Sequence, residues 1–278
     1  MDTEQALMER IQQVRERMAG AVRRAGRALE EITLVAVSKM QPAETVAAAY
    51  AAGLRLFGEN RVEEAGPKAV AVARLLAPVP PPAWHMIGHL QSRKAADVFS
   101  WASMVHSIDS VKLAARLSRA LQTRSNADGM ASAVIAMNQT KNKSGIEALA
   151  GLSGQQAQPA EASIPKRHPN MPILLEVNVA DQESKYGFAA ADLPAAVEAI
   201  AALPGLQIAG LMTMAPIVHD PELARPVFTD LRELRNDLAR RYPALELEHL
   251  SMGMTDDFEV AIEEGATLVR IGRAIFGG

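Results

Sequence analysis

Short apolar runs alternate along the chain with alanine-rich stretches whose charges recur at helical spacing. The runs are Thr33–Val37, Leu54–Phe57, Trp84–Ile87, Met104–Ser107, Ile173–Val179, Gln207–Leu211, Leu245–Leu250 and Thr267–Ile271. Each is short and β-rich, as expected of strands. Between them, Ala43–Ala52, Glu59–Leu76, Ser92–Phe99, Val111–Thr123, Ala190–Leu203, Pro221–Tyr242 and Asp256–Glu264 predict helices, with Asp192 before Leu193-Pro194 as one start signal. Eight repeats of strand then helix predict an α/β chain closed as a single (β/α)8 TIM barrel. The alternative, an open doubly wound sheet, would more often carry a glycine-rich fingerprint after its first strand, and Ser38-Lys39-Met40-Gln41-Pro42 is unlike one.

An extra amphipathic helix precedes the barrel within Met1–Glu31, its apolar face carrying Leu7, Ile11, Val14, Met18 and Val22. One stretch breaks the rhythm. Residues 124–170, between the fourth and fifth strands, are rich in Gln, Ser, Asn, Ala and Pro, with a short apolar patch at Ala131–Met137. This reads as a flexible insertion in one domain covering 1–278, either a tolerated surface excursion or a partner-binding loop.

Composition narrows the function classes. With 278 residues and 49% hydrophobic content, the chain can bury a large core. Its 29 basic and 32 acidic residues are well mixed and sum to −3, so no global field gathers nucleic acid or an anionic membrane. The absence of cysteine excludes disulfides, a thiolate nucleophile and Cys-ligated zinc. Glu4, Glu9, Glu16, Glu30 and Glu31 argue against a transit peptide, and no run has the apolar length of a signal peptide or membrane span. A cytoplasmic protein is expected.

In a (β/α)8 barrel the chemistry lies where strands end. The first exit offers Lys39. A desolvated amine there could attack a carbonyl, but a solvated lysine ending a strand is the plainer reading of position alone. The second offers Gly58-Glu59-Asn60, where glycine would free a turn and capping explains the other two as well as a site does. At the third, His85 and His89 have the spacing of a zinc pair, yet Gly88 makes the segment a strand and turn rather than the helix such a pair requires. His85 therefore reads as a barrel-lining residue and His89 as a loop residue, while His106, His168, His219 and His249 form no recognisable constellation.

The last two exits are richer. Ser251-Met252-Gly253-Met254-Thr255-Asp256-Asp257 is a glycine turn feeding a helix, with Thr255 or Asp256 as the expected cap and free amides for an anion. Arg270-Ile271-Gly272-Arg273 adds a second close backbone approach. Together they predict a phosphate pocket between the seventh and eighth loops.

These segments, with Val37-Ser38-Lys39, Phe57-Gly58-Glu59-Asn60, Trp84 to Gln91, Ser107-Ile108-Asp109-Ser110, Gly210 to Met214 and Val269 to Gly277, closely resemble the pyridoxal phosphate homeostasis protein family. The resemblance implies a fold-type III barrel holding pyridoxal 5′-phosphate as an aldimine on Lys39. It further implies that Ser251 and the backbone of Gly253, Met254 and Gly272 hold the phosphate, that Arg270 faces the pyridine nitrogen, and that Asn60, His85 and Met212 line the cofactor. An arginine donates hydrogen bonds and accepts none, so the nitrogen facing it stays unprotonated and the ring is a poor electron sink. That suits storage. The implied function is buffering and delivery of the cofactor to apoenzymes, by a monomer or weak dimer, with no catalytic residue and no metal.

Two departures from the family pattern stand out: Arg273 replaces a small hydroxyl residue, and the 124–170 insertion is long. An amino-acid racemase is the alternative. It needs a second acid/base from a further domain, whereas this chain ends at Gly278 just after the eighth strand. A class I-type aldolase, with Lys39 binding a sugar phosphate directly, is a third reading.

Overall fold

The computed structural model describes residues 2–124, 170–179 and 186–277. Eight strands, β1 (Thr33–Val37), β2 (Leu56–Glu59), β3 (Ala83–Met86), β4 (Met104–Ile108), β5 (Met171–Glu176), β6 (Leu206–Met212), β7 (His249–Ser251) and β8 (Leu268–Ile271), form a closed parallel barrel in chain order. β8 pairs back onto β1, with Val35 beside Arg270. One face of each strand meets the helices and the other meets the lumen, where Val35, Ile87, Met104, Leu174, Ala209, Met212 and Leu268 form an inner core of their own.

The helices are α1 (Asp2–Arg24), α2 (Ala43–Ala51), α3 (Val62–Leu76), α4 (111–124), α5 (Leu193–Ala201), α6 (Arg225–Arg241), α7 (Phe258–Glu263) and α8 (Arg273–Phe276). α1 carries the apolar face expected of it: Leu7, Ile11, Val14, Met18 and Val22 are all buried, and the helix packs against α7 and α8. Ion pairs from Arg17 to Glu259 at 3.0 Å and from Arg24 to Glu263 at 2.6 Å tie its polar flank to α7.

Several boundaries differ from the sequence reading. α1 stops at Arg24, and Gly26 at φ 64 turns the chain. β2 starts two residues late because the Gly53 turn, at φ 94, takes up Leu54. The third crossover is two 3₁₀ turns, Ser92–Lys94 and Asp97–Ser100, and not one helix. Eight residues are a short stretch for an α-helix, and tighter turns let Val98 and Phe99 both reach the core. β7 keeps only three residues, because the amides of Leu245 and Leu247 bond within a turn to Tyr242 and Leu245. The expected insertion, with its Ala131–Met137 patch, lies outside the described residues apart from Arg124 and Asn170. Among the described residues no helix is long and apolar enough to cross a membrane.

Candidate functional site

Alternation along the strands decides which side chains enter the barrel. Register sets Val37 beside Gly58, Gly58 beside His85, and His85 beside Met104. Across the barrel, Glu176, Met212 and Ser251 stand side by side. Buried polar side chains occur in these rows and on the neighbouring strand positions: His85, His106, Glu176, Ser251 and Arg270. Their ordinary place would be a surface, so their concentration in the lumen marks the candidate site.

Gly58 belongs to β2 and not to a turn. A Cβ there would lie 2.8 Å from Ile87 Cδ1 and 2.9 Å from Val35 Cγ1, so glycine lets these two side chains pack over β2. Gly88 serves the next residue along: a Cβ would sit 2.4 Å from the carbonyl oxygen of Asn60, whose backbone crosses closely. Lys39 follows Val37 by two positions, in a turn closed by Gln41 N–H to Ser38 O at 3.0 Å, with Met40 at φ 61. Its side chain is exposed. This exposure matches the plainer reading of a solvated lysine at a strand end, because the turn carries Lys39 beyond the buried end of β1.

Behind that turn, on the helix side, lies a buried polar cluster. Ser38 Oγ and Lys68 Nζ both donate to Glu59 Oε1 at 2.7 Å, and Lys68 Nζ also donates to Ser38 O at 2.9 Å. Glu59 is therefore a strand residue that ties the β1 exit to α3, and not a helix cap.

Inside the barrel a hydrogen-bonded chain crosses the lumen. Arg270 donates from Nη1 to Ser251 Oγ at 2.5 Å and from Nη2 to the Thr213 carbonyl at 2.9 Å. Ser251 Oγ lies 2.9 Å from His106 Nδ1, and His106 Nε2 lies 2.9 Å from His85 Nδ1. Burial pushes His85 down to about 3 and His106 well below the usual imidazole range, so both rings are neutral at physiological pH. Burial also lowers Arg270 to about 10, with the carboxylates of Asp257 and Glu176 acting the other way. It remains a cation.

At the seventh exit Gly253 takes φ 90, and a Cβ would lie 2.6 Å from Ala261 Cβ, so only glycine lets this loop pack on α7. The residue preceding α7 is Asp257, and not Thr255 or Asp256. Its Oδ1 accepts the Met254 amide at 2.6 Å, and burial raises its carboxyl above the usual range. Gly272 precedes α8, where a Cβ would meet Val37 O at 3.2 Å. Arg273 pairs with exposed Asp256 at the surface.

The sequence-derived residues thus fall into two sets. His85, Met212, Ser251 and Arg270 are buried in the lumen, while Lys39, Asn60, Gly253, Met254 and Gly272 lie at or just beyond strand ends around its rim. The Ser251 hydroxyl and the Met254 amide are both engaged within the protein. His89 instead bonds Asp109 at 3.2 Å and stacks on Tyr186 at 3.8 Å, so the two histidines once considered as a pair have separate partners. Sequence reasoning missed His106 and Glu176. A histidine and a glutamate inside otherwise apolar strands were the available signals.

A cavity of about 650 Å³, walled by Trp84, Phe99 and Trp101, lies near the starts of β3 and β5. It is at the other end of the barrel from the strand exits.

A family model for the alanine racemase N-terminal domain matches residues 5–278. The pyridoxal phosphate homeostasis protein of Pseudomonas aeruginosa is 38% identical over 271 residues, covering 98% of this chain and 95% of its relative. That of Aquifex aeolicus is 36% identical over 270 residues, covering 97% and 96%. Among solved structures, PipY of Synechococcus elongatus with pyridoxal phosphate bound shares 29% identity at a TM-score of 0.69, covering 98% of this chain and all of that one. The alanine racemase of Corynebacterium glutamicum, at 13% identity and a TM-score of 0.59, shares the fold. Barrel and full-length similarity agree: the chain belongs to the pyridoxal phosphate homeostasis protein family, within the alanine racemase N-terminal-domain fold.

Proposed function

We propose that this protein binds pyridoxal 5′-phosphate in the C-terminal mouth of its barrel and holds it for transfer to apoenzymes, without robust turnover of its own. The observation that carries this reading is Arg270. It is a buried cation whose hydrogen-bond acceptors among the described residues, the Ser251 hydroxyl and the Thr213 carbonyl, are both neutral. A phosphorylated pyridine supplies both the negative charge and the ring acceptor that such a guanidinium favours.

When bound, the cofactor would supply an aldehyde for a lysine amine. Lys39 offers the amine that reaches the aldehyde; its solvated position suits reversible loading and release. Arg270 donates to the ring nitrogen and keeps a proton off it. Asn60, His85 and Met212 line the ring. Gly253, Met254 and Gly272 offer backbone amides to the phosphate, for which the Asp257 carboxylate must leave the Met254 amide. Ser251, in place of the phosphate contact that the resemblance implies, accepts from Arg270 and steadies that guanidinium. Arg273 is drawn toward Asp256 and contributes little to that contact.

Titration of the protein with pyridoxal phosphate tests the proposal. A saturable near-visible band at one equivalent is expected, together with transfer of the cofactor to a pyridoxal-dependent apoenzyme. Absence of the band refutes binding. Rapid interconversion of alanine or serine enantiomers, measured by chiral chromatography, would replace storage with racemisation.

A further inference from the structure

The chain from Arg270 to His85 has a direction. A guanidinium only donates, so Ser251 Oγ is the acceptor of the Arg270 Nη1 bond. Among the described residues, His106 Nδ1 is the acceptor within reach of the buried Ser251 hydroxyl. A buried hydroxyl gives its proton to such a partner. Neutral His106 then carries its own proton on Nε2 and donates it to His85 Nδ1, which leaves the proton of neutral His85 on Nε2. Burial is the main cause of neutrality in both rings, with the field of His249 adding at His85, and those of His85, Arg270 and His249 adding at His106. Glu176 and Asp257 are the carboxylates whose fields reach Arg270 at the other end.

We infer that His106 is a positioning residue: by taking the Ser251 proton it fixes Ser251 and the Arg270 fork, and it sets His85 as an N–H donor. The resemblance assigns His106 no role. The inference rests on the reading that pyridoxal phosphate occupies the barrel mouth, because a fixed fork is what holds an unprotonated ring nitrogen. Its structural half, the order of protons, concerns this chain alone.

Two measurements separate the halves. In ligand-free protein with ¹⁵N-labelled histidine, NMR should show His106 and His85 as neutral Nε2–H tautomers from about pH 5.5 to about pH 8. A proton on His106 Nδ1, or a charged ring, overturns the inference. His106→Leu removes the acceptor and should weaken pyridoxal phosphate binding about tenfold, the effect of one unpaired buried donor. His106→Gln, which can accept from Ser251 and donate to His85, should restore most of that loss. Wild-type affinity in folded His106→Leu also overturns it, and if that variant does not fold, the wild-type tautomers decide. Failure of the wild type to bind the cofactor would instead refute the site reading while the tautomers still report on the chain.

Discussion

In the proposed site Lys39 is an exposed amine and Arg270 a buried cation. Lys39 makes no packing contribution to the barrel interior, so Lys39→Ala should abolish covalent capture and leave thermal stability within about 0.5 kcal/mol of wild type. The neutral histidines carry a pH signature. His85 binds its proton at about 3 when folded, whereas an unfolded imidazole binds at about 6.5. Between those values the unfolded chain holds more protons, so stability falls as pH drops from about 6.5 toward about 3. Urea unfolding of the ligand-free protein should lose on the order of a few kcal/mol across that window, and a flat profile would contradict buried neutral rings. At this scale the sequence was informative where a residue near a strand end lies two positions before a glycine, as with Ser251 and Arg270. His106 was invisible because its partner Ser251 is 145 positions away, on the opposite side of a barrel that must close before they meet.

At the scale of elements, the Ser38–Glu59–Lys68 cluster joins β1, β2 and α3. Lys68→Met would leave the Glu59 carboxylate buried without its cation, and should cost about 3–5 kcal/mol by chemical denaturation. Lys68→Met combined with Glu59→Leu should recover part of that loss. Gly58→Ala forces a methyl against Ile87 and Val35 and should cost about 1–3 kcal/mol. Strand existence was legible because short β-rich runs recur between alanine-rich helical stretches. Boundaries were not, because the turns at Gly53 and Tyr242–Leu247 consume apolar residues that read as strand. Glu59 misled for a related reason: the sequence just before a helix looks the same whether an acidic residue caps it or sits buried in the preceding strand.

The whole molecule is a barrel whose two ends differ in kind. The strand exits gather the charged and polar side chains, and the opposite end carries an apolar cavity. Closure makes the site, since Arg270 on β8, Ser251 on β7, His106 on β4 and His85 on β3 meet only in the lumen. The N-terminal helix completes the outer wall against α7 and α8, next to the strands that carry Ser251 and Arg270. The central claim is that this mouth holds pyridoxal phosphate through Lys39. The most direct test is to load the protein with pyridoxal phosphate, reduce it with borohydride and map the adduct by peptide mass analysis. The account predicts one pyridoxyl group, on Lys39, absent from Lys39→Ala; no adduct, or one mainly on another lysine, would contradict it.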